Sequence, residues 1–225
     1  MKLADIHRIV KAQDSQQAIA VVKSIDGRKQ TTVKRQQLNS DLELDRAIAE
    51  GFRKDKSQLI DTGDGKFFIH IFNPPLRLII VGAVHIAKNL IPLAKMCSFD
   101  VVLIDPRRAF AESQFLSDTK VVTQWPDKAI SDLDQGARTA VVTLTHDPKL
   151  DEPALIAALN SQAFYIGALG SRRTHHARCS RLVQAGVAEK DIERIHAPIG
   201  LDIGAQSPAE IALAIMSEIT QSLRQ

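Results

Sequence analysis

Residues 78–90, LIIVGAVHIAKNL, decide the fold. Leu78 to Val81 form an unbroken aliphatic run, the pattern of a strand buried on both faces. Gly82 permits a tight turn, and from His85 the apolar residues take up helical spacing as far as Met96. Gly82-Ala83-Val84-His85-Ile86-Ala87 matches the spacing G-x-G-x-x-G/A except at its middle position, and Asp105 stands where such units carry an acid. Val84 puts a branched Cβ where a pyrophosphate would approach. Taken alone, the loop reads equally as a cofactor turn or as a plain strand-to-helix connection.

Outward from this stretch the alternation continues. Strands are expected at 101–104, ending in Asp105, at 120–123, at 139–144, ending in Thr145-His146-Asp147, and at 163–166, running into Gly167. Helices are expected at 153–159, at 172–185, closed by Gly186, and at 208–223, where Ser207, Pro208 and Glu210 make a capping arrangement. This rhythm predicts an α/β fold with a Rossmann-like parallel sheet and flanking helices. Such sheets bind ligands at the carboxyl ends of their strands.

Residues 1–73 read differently. A strand at 18–25 meets an Asp26-Gly27 turn, a helix is spaced over 42–53, and a second strand at 66–72 follows Gly63-Asp64-Gly65. Asn73-Pro74-Pro75 is a stiff breaker, so the expected division is a small N-terminal α/β domain, 1–73, and a Rossmann-like domain, 76–225.

Composition narrows the function. Hydrophobic residues are 44% and aromatics 4%, so the core is aliphatic, which suits a helix-covered parallel sheet. Lys plus Arg number 29 against 26 Asp plus Glu, and a net charge of +3 is too small to drive nucleic-acid or membrane binding by bulk attraction. Cys97 and Cys179 form no disulfide framework or CxxC pair, the N-terminus has no signal-peptide core, and His85, Lys88 and Asn89 interrupt the greasiest run. The chain is expected in the cytoplasm.

Four strand-end loops carry the candidate chemistry. Gly82 and His85 lie in the first. In the second, Asp105 can accept ribose hydroxyls while Arg107 or Arg108 can hold a phosphate; the alternative is an Asp-Pro turn with solvated arginines. In the third, His146 with Asp147 can act as an oriented base, and the alternative is a capping turn. His85, His146, Asp147 and Asp151 lack metal-ligand spacing. The fourth, Gly167-Ala168-Leu169-Gly170-Ser171-Arg172-Arg173-Thr174-His175-His176, is the most informative. Ser171 is a good N-cap, and cations in a first helical turn oppose the macrodipole by roughly 0.3–1 kcal/mol each. An anion docked on Gly170, Ser171, Arg172 and Arg173 would relieve that opposition; the alternative is a basic, solvated helix face, which Arg178 and Arg181 extend. A fifth loop, 197–204, offers Asp202, either as a ligand contact or as part of a connector.

Taken in order, GAVHIA, IDPR, THD, IGALGSRRT, PIGLDIGA and SPAEIA resemble the Rossmann half of the XdhC/CoxI family over residues 76–225. The resemblance implies a non-catalytic accessory protein for xanthine dehydrogenase and related molybdenum hydroxylases. It implies binding of the molybdenum cofactor (molybdopterin) while a terminal sulfur is installed, then delivery to the apo-hydroxylase. It further implies a homodimer and a cysteine desulfurase as a possible partner. Gly82, His85, Asp105, Arg107, His146, Asp147, Gly167, Gly170, Ser171, Arg172, Arg173 and Asp202 would line the cofactor site. Two features depart from the family pattern: Val84 replaces a glycine, and residues 1–73 lack a glycine-rich, cysteine-bearing segment. The competing readings are an NAD(P)-dependent oxidoreductase, with Asp105 on the ribose and His146 as acid–base, and an interaction protein whose cleft is idle.

Overall fold

The computed structural model describes residues 3–15, 17–107, 118–133 and 136–224. Two units emerge, one over Met1–Pro74 and one over Pro75–Leu223.

The first unit is built on a four-stranded antiparallel sheet. Its strands β1 (Ile19–Ser24), β2 (Gln30–Lys34), β3 (Gln58–Thr62) and β4 (Gly65–Phe72) lie in the order β2-β1-β4-β3. Helix α2 (Glu43–Lys54) lays Ile48 and Phe52 on Ala20, Val22, Phe67 and Ile69. Helix α1 (Leu3–Asp14) packs Ile9 and Ala12 against Ile19, Val21 and Phe72 on the opposite face. The predicted strands and helix of this region correspond to β1, β4 and α2. Helix α1 and strands β2 and β3 were not anticipated. In α1, exposed Leu3, Ile6 and Val10 blur the buried stripe; β2 is mostly polar, and in β3 the two apolar residues, Leu59 and Ile60, are adjacent rather than alternating.

The second unit carries six parallel strands: β5 (Leu76–Val81), β6 (Phe99–Ile104), β7 (Lys120–Val122), β8 (Thr139–Thr143), β9 (Tyr165–Ala168) and β10 (Ile195–His196). Their order is β10-β9-β8-β5-β6-β7. Counted from β5, this is the 3-2-1-4-5-6 arrangement of dinucleotide-binding sheets, read from the other edge. Helices α3 (His85–Met96), α4 (Pro126–Asp132), α5 (Pro148–Leu159), α6 (Arg172–Gln184), α7 (Glu189–Ile192) and α8 (Pro208–Arg224) complete it. Alternate residues of β5 feed two cores. Leu78 and Ile80 pack with Leu90 and Ile91 of α3 and with Ile215 and Ile219 of α8. Ile79 and Val81 pack with Ile130, Leu155, Leu182 and Ile192 on the other face. Burial on both sides explains the uninterrupted aliphatic run.

Local signals set the helix ends. The carboxylate of Glu210 accepts the Gln206 and Ser207 amides at 2.8 and 2.9 Å, and the Glu210 amide donates to Ser207 Oγ at 3.3 Å, closing the box at the start of α8. Gly186, at φ +90°, ends α6, and the Val187 amide donates to the Leu182 carbonyl at 3.0 Å. Helix α5 begins at Pro148 rather than at the predicted residue 153. Asp147 is its N-cap, its side chain accepting the Lys149 amide at 3.0 Å. Pro148 takes the first helical position, where a missing N–H costs nothing, and Pro153 continues the helix instead of starting it.

Candidate functional site

The strand register fixes which loops can meet. Val81 pairs with Ile104 on one side and Thr143 on the other, and Thr143 pairs with Ala168. The ends of β6, β5, β8 and β9 therefore stand side by side, bringing Asp105, Gly82, Thr145 and Leu169 into one row. The sheet reverses its order between β5 and β8, and the crevice of such a sheet opens there.

Gly82 marks this crevice. Its φ is +109°, and a methyl group added to it would lie 2.5 Å from Thr145 Cγ2. The positive φ and the approach of the β8 loop both require glycine. Gly82→Ala is expected to destabilise the protein by about 2–4 kcal/mol, through backbone strain plus overpacking, in chemical denaturation. A midpoint equal to wild type would show that the turn relaxes freely.

Next in the row, Asp105 is fully buried. Its Oδ2 accepts the Ala83 amide and Arg107 Nη2, both at 2.8 Å, and its Oδ1 accepts the Arg107 amide and Nε at 3.0 and 2.9 Å. Burial alone would raise its pKa, but the Arg107 and Ala83 hydrogen bonds and the Arg107 charge outweigh it and hold the carboxyl below its ordinary value. This carboxylate is therefore committed to the Gly82–Ala83 turn and to Arg107. Arg108 lies outside the described residues.

Helix α3 starts at His85 with Val84 as N-cap, and Val84 offers no side-chain acceptor to the first-turn amides. Those N–H groups can receive an anion or a polar ligand edge. Val84 sits at φ −99°, ψ 173°, extended backbone that a β-branched residue adopts readily, and its side chain packs on the core below α3. His85 is exposed beside it.

Across the crevice, His146 is exposed and held at φ +61°, uncommon for a non-glycine residue. Thr145 fixes that turn: its Oγ1 accepts the Asp147 amide at 3.0 Å and donates to Asp151 Oδ1 at 2.6 Å.

Beyond β9, Gly170 adopts φ +140° and Ser171 caps α6, its Oγ accepting the Thr174 amide at 3.2 Å. Arg172 and Arg173 are exposed and form no ion pair among the described residues. His175 faces Cys179 Sγ through Nε2 at 3.4 Å. Burial first, then the nearby Arg178 and His176, push the His175 pKa down.

A family model described as the XdhC Rossmann domain matches residues 78–219. The chain belongs to the XdhC family. It is 31% identical over 148 residues to an Escherichia coli protein named molybdenum cofactor insertion chaperone PaoD, covering 66% of this chain and 40% of that protein. It is 30% identical over 159 residues to a Bacillus subtilis protein named as a probable xanthine dehydrogenase subunit, covering 69% of this chain and 45% of that one. A crystal structure described as a xanthine dehydrogenase from Bacillus halodurans aligns with a TM-score of 0.71 and 26% identity, over 98% of this chain and 67% of its own. The chain spans less than half the length of these curated relatives.

Of the residues expected in the site, the XdhC domain brings Gly82, His85, Asp105, Arg107, His146, Asp147, Gly170, Ser171, Arg172 and Arg173 to the carboxyl edge of its sheet. Gly167 has a different task. It lies within β9, and a methyl group there would meet Ile199 Cδ1 at 2.5 Å and Tyr165 Cε1 at 2.8 Å, so the core fills that space. Asp202 is exposed in the loop after the edge strand β10. Two polar residues that shape the site lie outside the expected set: Asp151 and Arg178, both buried behind the loops. One signal was available for Arg178, which shares the inward stripe of α6 with Leu182 four residues on. Among the described residues no three His, Cys, Asp or Glu side chains converge as metal ligands, and no helix is long and apolar enough to cross a membrane.

Proposed function

We propose that this chain binds the molybdenum cofactor and delivers it to xanthine dehydrogenase-type molybdenum hydroxylases, serving as an accessory protein without catalysing a reaction of its own. One observation carries the reading. A single sheet edge combines an α3 N-terminus that no side chain caps with two exposed arginines that open α6 and form no ion pair among the described residues. Molybdopterin joins a phosphate to a polar pterin, and this donor set fits both ends. Arg172 and Arg173, with the α6 amides, would hold the phosphate. The α3 amides, His85 and His146 would face the remaining polar edge. The names of the two relatives, one a cofactor insertion chaperone and the other part of a xanthine dehydrogenase, support the same role. A nicotinamide dinucleotide would need the Asp105 carboxylate for its ribose, and that carboxylate is buried and engaged by Ala83 and Arg107.

The test mixes purified protein with molybdenum cofactor released from a molybdenum hydroxylase, separates them by gel filtration and measures molybdenum in the protein peak. Molybdenum and pterin fluorescence are expected to co-elute with the protein. NAD, NADP and ADP are run in parallel as thermal-shift ligands, and are expected to leave the melting temperature unchanged. No molybdenum in the peak, with strong stabilisation by a dinucleotide, would overturn the proposal in favour of the oxidoreductase reading.

A further inference from the structure

The loops after β8 and β9 face the cleft from separate strands, and one buried pair of charges touches both. Asp151, in the first turn of α5, is 1% exposed. Its Oδ1 accepts both the hydroxyl and the amide of Thr145, at 2.6 and 3.3 Å, and Thr145 in turn holds the Asp147 amide around His146. Arg178, on α6, is 3% exposed and donates Nη2 to the Leu169 carbonyl at 2.7 Å. The same Nη2 lies 4.0 Å from Asp151 Oδ2, an ion pair too long to be a hydrogen bond. It also passes beneath Gly170, 3.6 Å from where a side-chain carbon would be.

Such a pair is a poor way to gain stability, because desolvation of two buried charges commonly exceeds their attraction. The groups here bear the marks of that imbalance. Burial dominates in both, raising the Asp151 pKa and lowering that of Arg178. What the pair does achieve is geometric, since each partner spends its directional hydrogen bonds on a different loop.

We infer that Asp151 and Arg178 are positioning residues that latch the β8 loop to the β9 loop, and so fix the separation between His146 and the arginines at 172 and 173. The part of this inference that concerns binding rests on the proposed cofactor site. The latch itself needs no ligand to be observed.

The test uses the full chain with three variants: Asp151→Leu, Arg178→Met and the double variant. Each single change strands a buried charge and is expected to lower the melting temperature. The double variant removes both charges and is expected to recover most of that loss. Amide hydrogen exchange at 145–147 and 169–171 should nonetheless stay faster in the double variant than in wild type, by roughly tenfold. Its retention of molybdenum cofactor should fall by roughly tenfold as well, a pattern that a merely structural role would not give. Wild-type exchange at both loops in a folded double variant overturns the latch. Faster exchange with undiminished retention overturns its part in binding. If wild-type protein itself retains no cofactor, the proposed function fails, and the exchange measurement alone decides the latch.

Discussion

Reversing both charges in Arg172→Glu/Arg173→Glu is expected to reduce molybdenum cofactor retention by about a hundredfold or more while making the ligand-free protein more stable. The two effects share one cause. Arg172 and Arg173 are the first two residues of α6, where the aligned peptide dipoles present positive charge. Each cation there opposes the macrodipole by roughly 0.3–1 kcal/mol, and each glutamate would reverse the sign. The apo variant should therefore gain about 1–4 kcal/mol, with each kcal/mol worth roughly 2–4 °C in melting temperature for a chain of this size. A bound phosphate, by contrast, would lose two charge-assisted hydrogen bonds of about 1.5–3 kcal/mol each and meet two like charges. Thermal melts of the apo protein and molybdenum retention on gel filtration check the pair of results. Opposite movements rule out misfolding as the reason for lost binding. A stabilised variant that keeps its cofactor would mean that these arginines are only a solvated helix face.

Other residues show where reading the sequence stops. The β5 run, the Gly82 turn and α3 were legible because burial on both faces, a left-handed turn and a 3.6-residue period are all local in the chain. The parallel sheet followed from their repetition. Partnerships between distant residues left no such trace. Gly167 reads as part of a glycine-rich loop until Ile199, 32 positions later, is found filling the space beside it. Arg178 reads as one more cation on a basic helix, and only the fold sets Asp151 beside it. The start of α5 is hidden because Pro153 reads as the first residue of a helix, although Pro148 can take that position as well and Asp147 is a suitable cap. Asp105 was identified from its spacing, but the direction of its carboxylate, inward to Ala83 and Arg107, depends on how the first two strand ends meet.

That inward carboxylate leads to a second large expected effect, this one on stability. Asp105→Ala should cost about 3 kcal/mol at neutral pH, because it leaves the buried Ala83 amide without an acceptor and removes the charge-assisted bonds to Arg107. The Arg107 side chain is 39% exposed and can turn to water, which keeps the cost below that of an enclosed ion pair. The dependence on pH separates this mechanism from simple cavity formation. The folded carboxyl titrates below its ordinary value of 3.8. Its stabilisation is thus complete above that value and is lost as the pH falls through the depressed folded pKa. Asp151 acts in the opposite sense. Burial raises its pKa, so folding is favoured as the pH falls from that raised value towards 3.8. Both variant and wild type keep Asp151, and the difference between them isolates Asp105. The gap in melting temperature should be constant from pH 7 to pH 5 and should narrow below pH 4. A gap that persists unchanged to pH 3 would show that the Asp105 charge contributes nothing, and that its side chain holds the Gly82 turn by shape alone.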